Sequence, residues 1–105
     1  MNLNQVTVPS LDISASITFY KLLGLQLIVE AQPHYARFEC PERQATCSLS
    51  LASQDFQNNS VIYFEHEELD KWVDELTLRG IKFEQLPRYQ PYLWREAILK
   101  DPSGN

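Results

Sequence analysis

The sequence repeats one hydrophobic pattern at a spacing of 56 residues, and this repeat constrains the fold more than any other feature. Apolar side chains recur every three or four residues from 13 to 23 and again from 69 to 76, which is typical of amphipathic helices. Gly24 and Gly80 end the two stretches, because glycine accepts the left-handed backbone conformation found after many helices. A strand-like segment follows each glycine. The 105-residue chain is therefore predicted to hold two copies of one unit.

Alternating polar and apolar residues predict the strands that accompany the two helices. Unit one is predicted to have four strands, at residues 3–8, 25–30, 35–40 and 45–51. Unit two is predicted to have three, at residues 61–66, 81–86 and 92–100. A polar segment at 53–60 is the predicted linker, so unit one spans about 1–52 and unit two 61–105. The fold class is therefore α+β, with two βαβββ units in one domain and the final strand of unit two absent.

Composition and charge exclude several classes of protein. The formal net charge of −5 disfavours a nucleic-acid partner, since binding phosphates needs a basic surface. No apolar run is long enough to cross a bilayer, and the N-terminal sequence lacks the basic and apolar regions of a signal peptide. Cys40 and Cys47 lack the additional Cys or His residues of a zinc site. We therefore predict a cytoplasmic protein with two reduced thiols and no membrane partner.

The alternation along the strands divides unit one into an apolar and a polar face. The apolar rows are expected to pack under the helix, which leaves the polar rows on the opposite face. These polar residues are Gln5 and Thr7 in the first strand, Tyr35, Arg37 and Glu39 in the third, and Thr46, Ser48 and Ser50 in the fourth. Such a face is either solvated or arranged around a ligand.

For several of these polar residues, the sequence is compatible both with a role in binding a ligand and with a purely structural role. Gln5 either offers one oxygen to a metal or forms an ordinary hydrogen bond inside the protein. Arg37 is suited to hold a carboxylate or a phosphate, unless it simply forms a cross-strand ion pair, with Glu39 on the same face. Tyr35 either stacks on a ligand ring or forms part of a cavity wall. The sequence leaves each of these alternatives open.

The stretch from Tyr89 to Glu96 combines three aromatic residues with an arginine and a glutamate. On a strand, Trp94 and Glu96 share one face, and Arg95 points to the other. Aromatic rings provide apolar contact and a carboxylate fixes orientation, so this stretch is predicted to form the wall of a ligand site. The alternative is that Trp94 packs in a core or in a subunit contact.

His34 and His66 are the candidate general bases by residue type. Nothing in the sequence places a partner beside either of them, so surface or capping roles are favoured. No catalytic residue is therefore predicted.

Two short motifs connect this pattern to a known family. The first is Asp12 with Ser16, Phe19-Tyr20 and Leu23-Gly24-Leu25 in the first helix, and the second is the closing Asp101-Pro102-Ser103-Gly104-Asn105. Their order and spacing, together with the paired units, resemble the vicinal oxygen chelate superfamily, which includes glyoxalase I, bleomycin- and fosfomycin-resistance proteins and extradiol dioxygenases. The resemblance covers nearly the whole chain. It implies that the two units form a curved mixed sheet, with the helices on the outer face and the polar rows facing into a cup.

The resemblance also implies where a divalent metal would bind, and the sequence matches this pattern poorly. Members of the family use His, Glu or Gln on inward strand positions, and the metal polarises two neighbouring substrate oxygens. The corresponding positions are Gln5, Ser48 and Val61 (or Ser60), and the last position lies beyond Asn105. Serine and valine lack the charge and the lone pairs of a tight divalent site. The predicted set of metal ligands is therefore incomplete.

We therefore predict a small-molecule binding protein of this superfamily that uses no metal cofactor, with the ligand left unidentified. Its ligand contacts are predicted to be Gln5, Tyr35, Arg37, Glu39, Ser48, Trp94 and Glu96. The alternative is a metal-dependent glyoxalase-like lyase or dioxygenase, and whether the protein is an enzyme is left open. A third alternative is an interaction module that meets a partner through an exposed sheet edge.

The predicted strand count also bears on assembly. Unit two has one strand fewer than unit one, which leaves an edge with which another chain can pair. Tyr92 and Trp94 lie on that edge strand, and short members of the superfamily commonly form dimers. We therefore predict a homodimer that covers this region. The alternative is that this chain is a piece of a longer protein that supplies its own last strand.

Overall fold

A computed structural model of the chain describes residues 1–42, 44–54, 56–92 and 94–105. The helices and strands of these residues follow the order β1 (Gln5–Ser10), α1 (Ile13–Leu23), β2 (Gln26–Ala31), β3 (Tyr35–Glu39), β4 (Thr46–Leu51), α2 (Leu69–Leu78), β5 (Phe83–Tyr89) and β6 (Arg95–Leu99). The contacts divide them into two compact units, with residues 1–60 and 101–105 in unit one and residues 61–100 in unit two. The predicted α+β class is confirmed.

Unit one is a four-stranded mixed sheet with α1 packed on one face. The strand order is β1-β4-β3-β2, in which β1 pairs with β4 in parallel and the other pairs are antiparallel. Phe38 of β3 is fully buried, and its ring centroid lies 5.8 Å from that of Tyr20 in α1. Ala36 pairs with Leu49 and Phe38 with Cys47, so these four residues share the face beneath the helix. This apolar row forms the core of unit one.

The ends of α1 follow the local signals in the sequence. Asp12 has extended backbone angles and accepts a hydrogen bond from the Ala15 N–H at 3.1 Å, as an N-cap residue does. Gly24 ends the helix at φ 104°, and Gly80 occupies the same kind of position after α2 at φ 95°. A side chain at either position would be strained, which explains why the repeat carries glycine at both. Neither helix in the described residues is long and apolar enough to cross a membrane.

Unit two contains α2 and an antiparallel pair of strands, β5 and β6. Val73 and Leu76 of α2 are buried, as the second apolar stripe predicts. The strand predicted at residues 61–66 is wrong, because these residues form no strand in the structure. In unit one the equivalent strand, β1, is paired to β4 along its whole length. The described residues of unit two include no strand equivalent to β4. Residues 61–66 therefore have no such strand to pair with.

The closing turn at residues 101–105 belongs to unit one, whereas the sequence placed it in unit two. Asp101 is only 7% exposed, and its carboxylate accepts hydrogen bonds from the Tyr20 hydroxyl at 2.8 Å and from the backbone N–H groups of Ser103 and Asn105 at 2.9 Å. The Asn105 side chain also donates to Asp101 and to the Pro9 carbonyl, at 2.8 and 2.7 Å. Burial, with the nearby Asp101 carboxylate, raises the pKa of Tyr20 well above its usual value. The Tyr20 hydroxyl therefore keeps its proton and donates a hydrogen bond to the carboxylate.

Both cysteines are free thiols, as the sequence predicts. Cys47 lies in the core of unit one, and burial, with smaller effects of Cys40 and Asp101, raises its pKa to about 11. Burial and the nearby Glu39 also raise the pKa of Cys40. A thiol is reactive mainly as the thiolate, and a raised pKa keeps these side chains protonated at neutral pH. The environment of the two cysteines therefore does not suit a nucleophile.

Candidate functional site

The polar face of unit one lies opposite α1 and centres on Ser48. Tyr35, Arg37 and Glu39 point to this face, because the intervening Ala36 and Phe38 are buried on the other. The Gln5 side-chain amide donates to Ser48 Oγ at 2.8 Å, and the Tyr35 hydroxyl lies 2.8 Å from the same oxygen. Ser48 is fully buried. One serine of β4 thus joins side chains from β1 and β3 into a hydrogen-bonded cluster.

The strand register explains how residues far apart in the sequence form this cluster. Ser48 pairs with Thr7 of β1 on one side and with Arg37 of β3 on the other. Gln5 lies two residues before Thr7, and its side chain extends along the strand to Ser48. Tyr35 reaches the same serine from the opposite side of β4. We name these three residues, Gln5, Tyr35 and Ser48, the Ser48 cluster.

Arg37 lies beside the Ser48 cluster and has unused hydrogen-bonding capacity. One terminal nitrogen of its guanidinium donates to Thr46 Oγ1 at 3.2 Å. Its Nε–H is buried and has no hydrogen-bond partner among the described residues. A buried donor without an acceptor costs about 1–3 kcal/mol. The ion pairs among the described residues do not include Arg37 or Glu39, so the structural alternative of an Arg37 ion pair is not observed there.

The donor set of this face does not fit the divalent metal that the resemblance implies. Gln5 turns its amide nitrogen toward Ser48, and that serine is already within hydrogen-bond distance of Tyr35. Val61 has no donor atom in its side chain. The described part of the chain holds no group of three or more His, Cys, Asp or Glu residues that could bind a metal ion. The groups that meet at Ser48 are hydroxyls and an amide, and such groups without a carboxylate or an imidazole make a poor site for a divalent ion.

A second group of polar and aromatic side chains lies in unit two. The Trp94 Nε1–H donates to Glu96 Oε2 at 3.2 Å, and the Tyr92 hydroxyl donates to Glu96 Oε1 at 3.5 Å. The Tyr92 and Trp94 rings are nearly perpendicular, at 88°, with centroids 5.1 Å apart. The Tyr63 ring lies 6.0 Å from Trp94 at a tilt of 48°. We name these four residues, Tyr63, Tyr92, Trp94 and Glu96, the Trp94 cluster.

Arg95 points away from the Trp94 cluster, as strand alternation predicts. Its guanidinium forms a two-pronged ion pair with the Asp70 carboxylate of α2, with the shortest distance at 2.8 Å, and it also lies over the Tyr89 ring at 4.9 Å. Hydrogen bonding to Arg95 lowers the pKa of Asp70. This side of β6 therefore brings together a ring, a carboxylate and the cation that neutralises it.

His66 contacts residues at the start of α2. Its Nδ1 accepts a hydrogen bond from the Glu68 N–H at 3.0 Å, just before α2 begins. Its ring also stacks on Trp72 at 4.8 Å. His34 lies in the turn between β2 and β3, where its backbone N–H donates to the Ala31 carbonyl. The capping role favoured by the sequence is therefore found for His66.

The seven predicted site residues fall into two groups. The structure brings Gln5, Tyr35 and Ser48 into direct contact, with Arg37 and Glu39 on the same face of unit one. It joins Trp94 to Glu96 in unit two. Sequence analysis did not single out Tyr63, which contacts Trp94. The only available signal was that Tyr63 alternates with the apolar Ile62 and Phe64. That these seven residues contact a ligand stays a prediction.

The comparisons with known proteins agree with the fold and the motifs. Paired helix–strand units with a mixed sheet and a polar face opposite the helix define a class of small α+β proteins. Within that class the chain belongs to the Glyoxalase/Bleomycin resistance protein/Dioxygenase superfamily, whose sequence model matches residues 2–105. The predicted membership is confirmed. No curated protein sequence matches the chain significantly.

Solved structures show the same fold at low sequence identity. An integron cassette protein from the mobile metagenome of the Halifax Harbour sewage outfall matches with a TM-score of 0.83 and 18% identity, over 99% of this chain and 92% of that one. A superfamily member from Sphaerobacter thermophilus matches with a TM-score of 0.81 and 21% identity, over 100% of this chain and 92% of that one. A lactoylglutathione lyase from Agrobacterium tumefaciens matches with a TM-score of 0.78 and 19% identity, over 99% of this chain and 88% of that one. At these identities the similarity establishes the fold alone.

Proposed function

We propose that this protein binds a small organic molecule on the polar face of unit one, without the divalent metal of its superfamily. The observation that carries the proposal is the Ser48 cluster, in which Gln5 and Tyr35 contact one buried serine at the position where the resemblance places metal ligands. These groups donate and accept hydrogen bonds but carry no negative charge. They are suited to hold polar groups of a ligand directly.

Arg37 gives this face a preference among ligands. Arg37 is half-buried, and a guanidinium binds a planar anion such as a carboxylate more favourably than a neutral group. We therefore expect the ligand to carry a carboxylate or a phosphate on the side that meets Arg37, and hydroxyl or amide groups at the Ser48 cluster.

Glu39, on the same face, is the remaining proposed ligand contact of unit one, and Trp94 and Glu96 are the proposed ligand contacts within unit two. The alternative of a metal-dependent lyase or dioxygenase draws support from the superfamily and from the lactoylglutathione lyase among the similar folds. The donor set of unit one argues against it, because a Lewis acid needs ligands that hold it tightly.

A cytoplasmic location and a homodimer remain part of the proposal, and light scattering on the purified chain tests the dimer.

A thermal-shift screen of small anionic and aromatic metabolites tests the proposal, since a ligand that binds only the folded state raises its melting temperature. We expect hits enriched in carboxylates, and we expect Arg37→Ala to weaken their binding by about tenfold or more. Tyr35→Phe, which removes only the hydroxyl at Ser48, should weaken binding less. Lys21→Ala is the matched control, because Lys21 is an exposed cation on α1, on the other side of the sheet.

The outcome of this screen distinguishes the proposal from its alternatives. Binding that is unchanged in both Arg37→Ala and Tyr35→Phe would place the ligand elsewhere and contradict the proposal. Binding that Lys21→Ala weakens as much as Arg37→Ala would indicate general attraction of anions rather than a site.

A further inference from the structure

In unit two, aromatic rings lie near carboxylates on both sides of β6, and among the described residues a cation pairs with the carboxylate on one of these sides. On the side of α2, Arg95 lies over the Tyr89 ring and pairs with Asp70. On the other side, the Trp94 cluster has three rings and the Glu96 carboxylate. The carboxylate of Glu96 accepts hydrogen bonds from two neutral donors, and the ion pairs found among the described residues do not include it.

The rings of the Trp94 cluster are unusually accessible for aromatic side chains. Tyr63 is 67% exposed, Tyr92 58% and Trp94 53%. Large aromatic rings bury 150–250 Å² each where they fill a core, so leaving three of them in water is unfavourable unless something covers them. The indole N–H and the Tyr92 hydroxyl both donate to Glu96, so these two side chains lie beside its carboxylate.

We propose that the Trp94 cluster binds an organic cation, of the quaternary or tertiary ammonium class. Ring faces attract a cation through the π-electron quadrupole, and the effect grows when a ring such as tryptophan is combined with other rings around one cation. The negative charge of the Glu96 carboxylate complements the positive charge of the cation. The inference rests on the proposed function only in taking Trp94 and Glu96 as ligand contacts, and it specifies which chemical group they recognise.

Charge, rather than apolar area, is the feature that selects the cation over other occupants. A purely apolar ligand would cover the rings but would leave the Glu96 carboxylate beside it, with poorer solvation and no counter-charge. A strongly hydrated inorganic ion such as sodium would not profit from the ring faces. An ammonium group that carries methyl groups satisfies both parts of the cluster, because its charge is diffuse and its surface is apolar.

Fluorescence of Trp94 provides a direct measurement. The chain has two tryptophans, so a Trp72→Phe background leaves Trp94 as the sole tryptophan reporter. The probes are choline and 3,3-dimethylbutan-1-ol, its neutral isostere, titrated at constant ionic strength. We expect choline to change the Trp94 emission with saturation, and the neutral isostere to bind at least about tenfold more weakly.

Substitutions separate the contribution of the Glu96 charge to choline binding from that of the aromatic rings. Glu96→Gln preserves an acceptor for the Trp94 N–H but removes the negative charge, so it should reduce the preference for choline over the isostere. Tyr63→Leu should weaken both probes, since it removes a ring and retains an apolar side chain. Tyr89→Leu is the control: Tyr89 is also exposed, but its ring is already occupied by Arg95, so choline binding should not change.

Three results would overturn the inference. Equal binding of choline and the isostere would show an apolar patch without recognition of charge. The absence of any saturable change in Trp94 emission, with a dimer found by light scattering, would show that a second copy of the chain covers the rings. The same absence in a monomer would show that the cluster does not bind this class. If metabolites from the screen still bind through Arg37, the proposed function stands and only the cation is wrong.

Discussion

Replacing Asp101 with alanine is expected to lower the free energy of unfolding by at least about 3 kcal/mol. The Asp101 carboxylate accepts hydrogen bonds from the Tyr20 hydroxyl, from two backbone N–H groups and from the Asn105 side chain, all between 2.8 and 2.9 Å. Alanine removes the acceptor for all of them at a site that is only 7% exposed. A buried donor that loses its acceptor costs about 1–3 kcal/mol, and partial access of water keeps the total below the sum.

Two milder substitutions test whether this network causes the loss. Tyr20→Phe removes one donor and keeps the ring, so we expect a loss of about 1 kcal/mol. Asp101→Asn keeps the shape but replaces one oxygen with an amide group that faces donors, so its effect should lie between the other two. Urea unfolding of the four proteins measures these differences. A loss below about 1 kcal/mol for Asp101→Ala would show that the closing turn is not anchored to unit one as described.

Adjacent residues of β3 should respond to alanine in opposite ways. Phe38→Ala is expected to destabilise the protein by about 3–5 kcal/mol, because it leaves a cavity beneath α1 where the ring contacts Tyr20. Arg37→Ala should change stability by less than about 1 kcal/mol, since it removes one hydrogen bond to Thr46 but also removes an unpaired buried donor. Arg37→Ala should nevertheless abolish most of the ligand binding, which Phe38→Ala should affect only through folding.

Thermal unfolding with and without a ligand from the screen measures both effects in one experiment. Phe38→Leu serves as the matched control, because it refills part of the cavity and should recover part of the lost stability. A large destabilisation by Arg37→Ala, or a small one by Phe38→Ala, would mean that the two faces of unit one are assigned the wrong way round.

Local signals in the sequence predicted the parts of the fold that depend on local interactions. Asp12 caps α1 and Gly24 ends it, because the backbone geometry at a helix end favours these residue types regardless of the rest of the chain. The 56-residue repeat then located α2 from α1. The predicted strand at 61–66 failed for a different reason. Alternation of side chains marks a segment that can form a strand, but a strand also needs a partner that pairs with it.

The closing turn shows the same limit of local reasoning. Turn chemistry at residues 101–105 was predicted correctly, and the structure has Gly104 at φ 87°. The assignment of the turn to unit two rested on its position in the sequence. The structure assigns it to unit one because the Asp101 carboxylate meets the Tyr20 hydroxyl, 81 residues away in sequence. No spacing rule relates these two residues.

Strand alternation predicted which residues of the candidate site share a face. Alternation placed Tyr35, Arg37 and Glu39 on one face, and Trp94 with Glu96 on another. It did not predict that Gln5 and Tyr35 would converge on Ser48, because that depends on the register of three strands and on the reach of two long side chains. Tyr63 was missed because its contact with Trp94 joins segments that are separated by α2 and β5.

Ligand affinity with and without divalent metal tests the central claim most directly. Protein purified without chelator is first analysed for its metal content and then stripped of metal. The affinity of a ligand from the screen is then measured on the stripped protein, before and after addition of zinc, nickel, manganese or iron. We predict no stoichiometric metal in the purified protein and the same affinity in every case, because the proposed ligand contacts, Gln5, Tyr35, Ser48 and Arg37, are side chains of the protein itself. A near-equimolar metal that Gln5→Ala removes, with binding that depends on it, would contradict the account.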